Sequence, residues 1–224
     1  MEKFLQETAD GSHTISIPSM EVSYHSKHGA IQESMHVFIE AGLVPKINEG
    51  KTHLDILEIG FGTGLNTLLT LITARNISIH YESLEPFPLE EQMVASLNYC
   101  EQLGRPDLQD KFLQLHQSEC GKTITIQPGF SFIKWPDKLP GYSTEKDFDI
   151  IYFDAFAPRA QPELWTMEIF RELYSFLKTE GVLVTYCSKS IVRRAMQAAG
   201  FQVEKIPGPH GKREMVRAIK SKAA

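Results

Sequence analysis

Glu58, Gly60, Gly62, Gly64 and Asn66 fall on alternate positions of one short stretch, Glu58-Ile59-Gly60-Phe61-Gly62-Thr63-Gly64-Leu65-Asn66. An acid, three glycines and an amide in this pattern can hold a nucleotide-bearing cofactor. Glycines lack a Cβ, so the backbone turns tightly and comes close to a ligand. The apolar Ile56-Leu57 leads in, and an apolar helical pattern runs from Leu65 to Ala74. That order reads as strand, glycine loop and helix. Spacing separates the possible ligands. A dinucleotide loop reads G-x-G-x-x-G, with a third Gly or Ala that lets helix pack on strand. Here position 65 is Leu, and no Gly-Lys-Ser/Thr follows to make a Walker-type phosphate loop. The pattern fits a loop for S-adenosylmethionine (SAM) better than one for a pyrophosphate.

Other residues extend this chemistry. Glu85, in Ser83-Leu84-Glu85-Pro86-Phe87, follows Gly60 at close to the interval at which an acid binds a ribose. A carboxylate there can accept charge-assisted hydrogen bonds from both ribose hydroxyls. Glu82 on the same strand is its competitor. Glu58 sits near the tip of a strand that should be buried, where a lone carboxylate is costly. Either the ammonium of the SAM methionine moiety offsets that cost or the side chain reaches water. Asp154 ends the apolar run Ile150-Ile151-Tyr152-Phe153 and begins Asp154-Ala155-Phe156-Ala157-Pro158. An acid here could orient an acceptor amine and favour its neutral form, since a protonated amine has no lone pair for attack. The alternative is a helix cap. Trp165, in Pro162-Glu163-Leu164-Trp165, either walls an acceptor pocket or packs in the core. Lys212 and Arg213, beside Gly211, could hold a phosphate or simply sit on a charged hairpin.

These residues need a scaffold that brings strand ends together. Strands are expected at 53–59, 78–84, 123–127, 149–154, 181–187, 201–206 and 213–219, with helices at 65–74, 89–103, 162–178 and 189–199. Such alternation predicts an α/β fold: a mostly parallel seven-stranded sheet with helices on both faces. Gly181 and Gly200 stand where helices should stop. Pro207-Gly208-Pro209-His210-Gly211 is too short for a helical crossover, so the last two strands should be antiparallel. Upstream, Ile15, Ile17, Val22 and Tyr24 about Pro18-Ser19 suggest a hairpin, and Ile31, Met35, Phe38 and Ile39 a helix over 29–41. Residues 1–50 thus form an N-terminal extension and 51–224 the Rossmann-like core. In such sheets ligands bind beyond the carboxyl ends of the strands, here at 58–66, near 85, near 127–130 and at 154–158.

Composition narrows the setting. Hydrophobic content of 42% and charged content of 23% are those of a globular protein. No apolar run approaches the roughly 20 residues of a membrane span. The N-terminus lacks the apolar core of a signal peptide. Cys100, Cys120 and Cys187 give neither a disulfide framework nor a C-x-x-C metal site, and His25, His28 and His210 lack metal-like spacing. The expectation is a reduced cytoplasmic protein with no structural metal. Net charge is −5, yet residues 189–222 hold nine basic side chains against two acids. Arg193 and Arg194 belong to this segment. It is either a phosphate-binding surface or a solvated face with a basic tail.

Taken together, these pieces closely resemble one family, the methyltransferase domain of MnmC, which modifies the wobble uridine of certain tRNAs. The resemblance runs through Glu58 to Asn66, Glu85-Pro86-Phe87-Pro88-Leu89, Phe153 to Pro158 with Pro162 to Trp165, Val192-Arg193-Arg194 to Phe201, and Gly211-Lys212-Arg213-Glu214-Met215. Upstream, Tyr24-His25-Ser26, Gly29 and Glu33-Ser34 also match, so about residues 20–218 are covered. The resemblance implies SAM-dependent N-methylation of the 5-aminomethyl group of a (2-thio)uridine to give 5-methylaminomethyl. It implies SAM held by Gly60, Gly62, Gly64 and Glu85, and Asp154 facing the methyl and the acceptor amine. It places Lys212 and Arg213 near the acceptor or the tRNA backbone, with Arg193 and Arg194 on the same basic face. Two departures stand out. The family often has Gly-Asp after its third strand, whereas Pro128-Gly129-Phe130 stands at the expected place. The long members also carry a flavin-dependent oxidase, for which a chain ending at Ala224 has no room, so another enzyme must make the aminomethyl precursor. Rival readings are a SAM-dependent methyltransferase of a small amine, a cofactor-binding module without catalysis, and a nicotinamide-dependent oxidoreductase.

Overall fold

The computed structural model describes residues 2–222. The chain opens with a three-stranded antiparallel sheet of β1 (Phe4–Glu7), β2 (His13–Ile17) and β3 (Val22–Ser23). The hairpin about Pro18-Ser19 is present, and β1 adds a strand that the sequence pattern did not suggest. Helix α1 (Ala30–Ser34) then continues through a π-helical stretch, Met35–Leu43, into α2 (Val44–Asn48). This segment runs past the expected end at 41. Gly42 explains its close seat on the sheet: a Cβ there would stand 3.0 Å from Val184 and 3.3 Å from Tyr152.

The main sheet has eight strands. They are β4 (His53–Ile59), β5 (Ser78–Leu84), β6 (Ile124–Gln127), β7 (Phe130–Trp135), β8 (Phe148–Phe153), β9 (Leu177–Thr185), β10 (Gln202–Pro207) and β11 (Glu214–Ile219). Their order is β10-β11-β9-β8-β4-β5-β7-β6. The pairs β7/β5, β5/β4, β4/β8 and β8/β9 are parallel, and β11 is antiparallel to both β9 and β10. The mostly parallel sheet with an antiparallel end is therefore as expected, but the strand count is eight rather than seven. The extra strand comes from the stretch after 123–127. Pro128-Gly129, with Gly129 at φ +80°, makes a tight turn. The chain returns as β7, so β6 is an antiparallel edge strand and β7 is the third parallel strand.

Both faces of the sheet are covered. Along β8, Ile150 and Tyr152 join one apolar cluster while Ile151 and Phe153 join the other. Such two-sided burial is the mark of a parallel sheet. α3 (Leu65–Thr73) and the N-terminal helical segment pack on the first face, where Ile15, Val37, Phe38 and Leu43 share a core with Leu54, Ile56 and Tyr152. α7 (Met167–Ser175) and α8 (Ser190–Ala198) cover the second.

Local differences have local causes. The expected helix over 89–103 is two pieces, α4 (Glu91–Ala95) and α5 (Tyr99–Gln102). Between them Asn98 turns its side chain to the N-terminal sheet, donating to Gly11 O at 2.9 Å and accepting from His13 N at 2.9 Å. That competes with helical pairing. α6 (Gln109–Gln117) follows, a helix not foreseen. The helix over 162–178 splits into a 3-10 turn, Pro162–Trp165, and α7, with Thr166 as its N-cap. Gly181 is no helix stop: it lies inside β9, where a Cβ would stand 2.8 Å from Lys178 O. Gly200, at φ +108°, does follow the end of α8. No helix among the described residues is long and apolar enough to cross a membrane.

Candidate active site

The carboxyl ends of β4, β5, β7 and β8 surround a cavity of about 440 Å³, within the size range of small-ligand sites. Gly60 and Gly62 line it from the β4 end, Glu85 and Phe87 from β5, Asp137 to Pro140 from β7, and Asp154 to Phe156 from β8. Tyr24 and His25 close one side from the N-terminal segment.

The glycine loop is shaped by necessity. Gly60, Gly62 and Gly64 have φ of +92°, +52° and +74°, a region that side chains disfavour. A Cβ would lie 2.9 Å from Asp154 O at Gly60, 2.9 Å from the Tyr24 ring at Gly62 and 2.7 Å from His116 Nε2 at Gly64. Two histidines steady the loop: His25 Nε2 meets Thr63 Oγ1 at 2.7 Å, and His116 Nε2 donates to Thr63 O at 3.1 Å. Burial pushes both imidazoles down to about 4, so they are neutral at physiological pH.

Glu85 faces the cavity. Its Oε2 accepts from Gly62 N and its Oε1 from Phe87 N, each at 2.8 Å. Its competitor Glu82 is buried elsewhere and accepts from His80, Trp135 Nε1 and Tyr142 OH. Burial pushes the Glu82 carboxyl up, but those three donors outweigh it and hold it below its usual range.

Glu58 has a different place from the one expected. It is fully buried beneath the loop, off the cavity wall, and accepts from Asn66 Nδ2 at 3.0 Å, Ser83 Oγ at 3.1 Å and Thr67 Oγ1 at 3.2 Å. The first turn of α3 covers it, so neither a cofactor ammonium nor water reaches it. Asn66 is likewise off the cavity wall. Its Nδ2 also donates to Asp154 Oδ2 at 2.9 Å, so one amide bridges two carboxylates. Desolvation raises both acids, Glu58 to about 8 and Asp154 to about 7, with the Asn66 hydrogen bond pulling each down. Asp154 keeps a face on the cavity. It does not cap a helix, because the 3-10 turn begins only at Pro162.

Trp165 also lies off the cavity. Its ring stands edge-on to Phe153 at 4.9 Å and its Nε1 donates to Phe156 O at 2.9 Å. It braces the Asp154 segment from behind, and Glu163 and Leu164 reach the cavity instead. Lys212 is not an open phosphate ligand, for its Nζ lies 2.6 Å from Glu33 Oε1. Arg213 and Arg194 are exposed, and Arg193 donates to Ser188 O. Among the described residues these three and Lys189 make no ion pair, whereas Lys205 and Arg217 of the same segment pair with Glu214 and Glu204.

Asp137 is the residue that reading the sequence missed. Because β7 is the third parallel strand, the stretch that follows it is Pro136-Asp137, and Asp137 lines the cavity. Phe130 is instead buried in the core. The turn chemistry of Pro128-Gly129 was the signal that could have found this.

A family model described as S-adenosyl-L-methionine-dependent methyltransferase matches residues 120–221. The bifunctional MnmC protein of tRNA 5-methylaminomethyl-2-thiouridine biosynthesis from Cupriavidus metallidurans is 30% identical over 218 residues, 90% of this chain. Its counterpart from Aromatoleum aromaticum is 32% identical over 209 residues, 87% of this chain. The chain is thus similar to a SAM-dependent methyltransferase family over residues 120–221 and to MnmC proteins over most of its own length. It spans 32% of the length of each of these two relatives. The crystal structure of MnmC2 from Aquifex aeolicus has the same fold, with a TM-score of 0.80 at 22% identity, covering 100% of this chain and 72% of that one. That similarity speaks for SAM and against the nicotinamide-dependent reading. SAM fits the site: the cavity has room for a small ligand, Gly60 and Gly62 line it, and the Glu85 carboxylate stands on the same wall.

Proposed function

We propose that this chain methylates the amino nitrogen of a 5-aminomethyl group on the wobble (2-thio)uridine of tRNA, giving 5-methylaminomethyl. The observation that carries the reading is that one cavity joins the glycine loop, Glu85 and Asp154. The names of the relatives supply the substrate class. SAM, when bound, supplies an electrophilic methyl group for direct displacement.

Gly60 and Gly62, on the cavity wall, let the backbone approach the cofactor, and Gly64 turns the chain into α3. Glu85, its carboxylate fixed by two backbone N–H groups, receives the ribose hydroxyls. Asp137, on the cavity wall after β7, would meet the adenine amino group. Asp154 serves the acceptor. Its Oδ2 is taken by Asn66, which leaves Oδ1 to orient the amine and to take a proton from it. A carboxyl poised near 7 does this well at neutral pH, because general-base efficiency peaks when the pKa matches the working pH. Water is kept from the reacting nitrogen by Tyr24 and Phe156, whose rings meet edge-on at 5.2 Å. Arg193, Arg194, Arg213 and Lys189 hold tRNA phosphates. An upstream modification step in the cytoplasm makes the aminomethyl precursor.

Nucleoside analysis of cells lacking the protein tests this. The wobble position should accumulate 5-aminomethyl nucleoside and lose its methylated form. An unchanged wobble nucleoside profile refutes it.

A further inference from the structure

Asp154 has a second set of neighbours away from the cavity. Lys212, in the turn before β11, extends to Glu33 on α1, 179 residues away. The other Glu33 oxygen accepts from Ser26 N at 2.7 Å, so the acid is anchored. The ammonium also lies 4.2 Å from the centre of the Tyr186 ring. Tyr186 OH in turn donates to Ala155 O, next to Asp154, at 2.9 Å. The N-terminal segment, the end of β9 and the last hairpin thus converge behind Asp154, and they bring one fixed negative and one fixed positive charge.

We propose that the Glu33–Lys212 ion pair is a positioning device that sets the charge of Asp154. The inference rests on the reading above, in which Asp154 serves the acceptor amine. Both charges reach Asp154 through space, Glu33 favouring its acid form and Lys212 its carboxylate. Each therefore masks the other. Without Lys212, Glu33 acts unopposed and keeps Asp154 protonated to higher pH. Without the Glu33 charge, Lys212 acts unopposed and keeps it ionised to lower pH. The other ionisable groups around this cluster are Glu58, reached through Asn66, Tyr186 and Cys187 after β9, His25 on the cavity wall, and His28 with His210, whose rings stand 5.3 Å apart beside Gly211. None of them is itself substituted below; Glu33 also acts on His25 and Tyr186, and Lys212 on Cys187. A purely structural ion pair has no such opposed effect, since loosening either end disturbs the same contact.

Carbon-13 NMR of the aspartate carboxyls, with the Asp154 signal assigned by Asp154→Asn, reads its titration in the full-length protein without any turnover. Lys212→Met should raise the midpoint by roughly one pH unit and Glu33→Gln should lower it by a similar amount. Lys212→Arg should stay near wild type. The double variant, uncharged at both ends, should return to within about 0.3 unit of wild type, as a cycle of two opposed terms requires. Shifts of the same sign in the two single variants, or a midpoint unmoved in folded protein, overturn the proposal. If Lys212→Met does not fold, the downward shift of Glu33→Gln and its cancellation in the double variant decide alone. Should the NMR shifts appear while wild-type protein fails to methylate tRNA, the ion pair stands and the substrate reading falls.

Discussion

Replacing Asn66 by alanine removes the amide that serves both Glu58 and Asp154. The bond to Asp154 Oδ2 is 2.9 Å long and enclosed, and it favours the ionised acid. A hydrogen bond to a charged group contributes about 1.5–3 kcal/mol. At 1.36 kcal/mol per unit, its loss raises the Asp154 midpoint by roughly 1–2 units from the present value. The starting point is about 7, so the variant's Asp154 ionises only in clearly alkaline solution. In a kcat/KM profile for methyl transfer to tRNA, the acid limb should move up by that amount. About half of the wild-type acid is already protonated at pH 7, so activity there should fall by roughly 5- to 50-fold and recover in alkali. The amine of the substrate also titrates, but identically in both proteins, so the displacement belongs to the enzyme. An equal loss at every pH would refute the reasoning, because it would mean that Asn66 only places atoms.

Other perturbations test other parts. Gly64→Ala forces a side chain to φ +74° and toward His116, which should cost about 1–3 kcal/mol and lower the calorimetric Tm by several degrees. Glu58→Gln removes a buried acid whose folded value of about 8 lies above its ordinary 4.5. The stability that Glu58 confers is complete below 4.5 and is lost as pH rises through 8, so urea melts should show the variant gaining on wild type across that window. Arg193→Ala with Arg194→Ala should weaken tRNA binding and reduce the slope of log K against log salt by roughly 1.4–1.8, with SAM affinity unchanged in calorimetric titration.

The cavity wall formed by the glycine loop, Glu85 and Asp154 was legible because its signals are local. Alternating glycines after an apolar run, and single acids closing Ser83-Leu84-Glu85 and Tyr152-Phe153-Asp154, mark strand ends within a few residues. The topology followed from the alternation of elements. What escaped was set by neighbours distant in the chain. Glu58 looked like a cofactor ligand until α3 was seen to cover it. Trp165 proved to brace Phe156 O rather than wall the cavity. Lys212 resembled a phosphate contact because nothing near it in sequence betrays Glu33. Asp137 was lost for a different reason: a two-residue turn shifted the third parallel strand forward, and the acid expected after that strand moved with it.

The central claim is that the amine-bearing wobble nucleoside of tRNA receives the methyl group. Purified protein, methyl-labelled SAM and tRNA carrying 5-aminomethyl(2-thio)uridine are incubated together, with free small amines in parallel, and the digested nucleosides are weighed by mass spectrometry. The account predicts label on one nucleoside only, as 5-methylaminomethyl(2-thio)uridine, and none of it with Asp154→Ala. Label on the free amines with none on tRNA would contradict it.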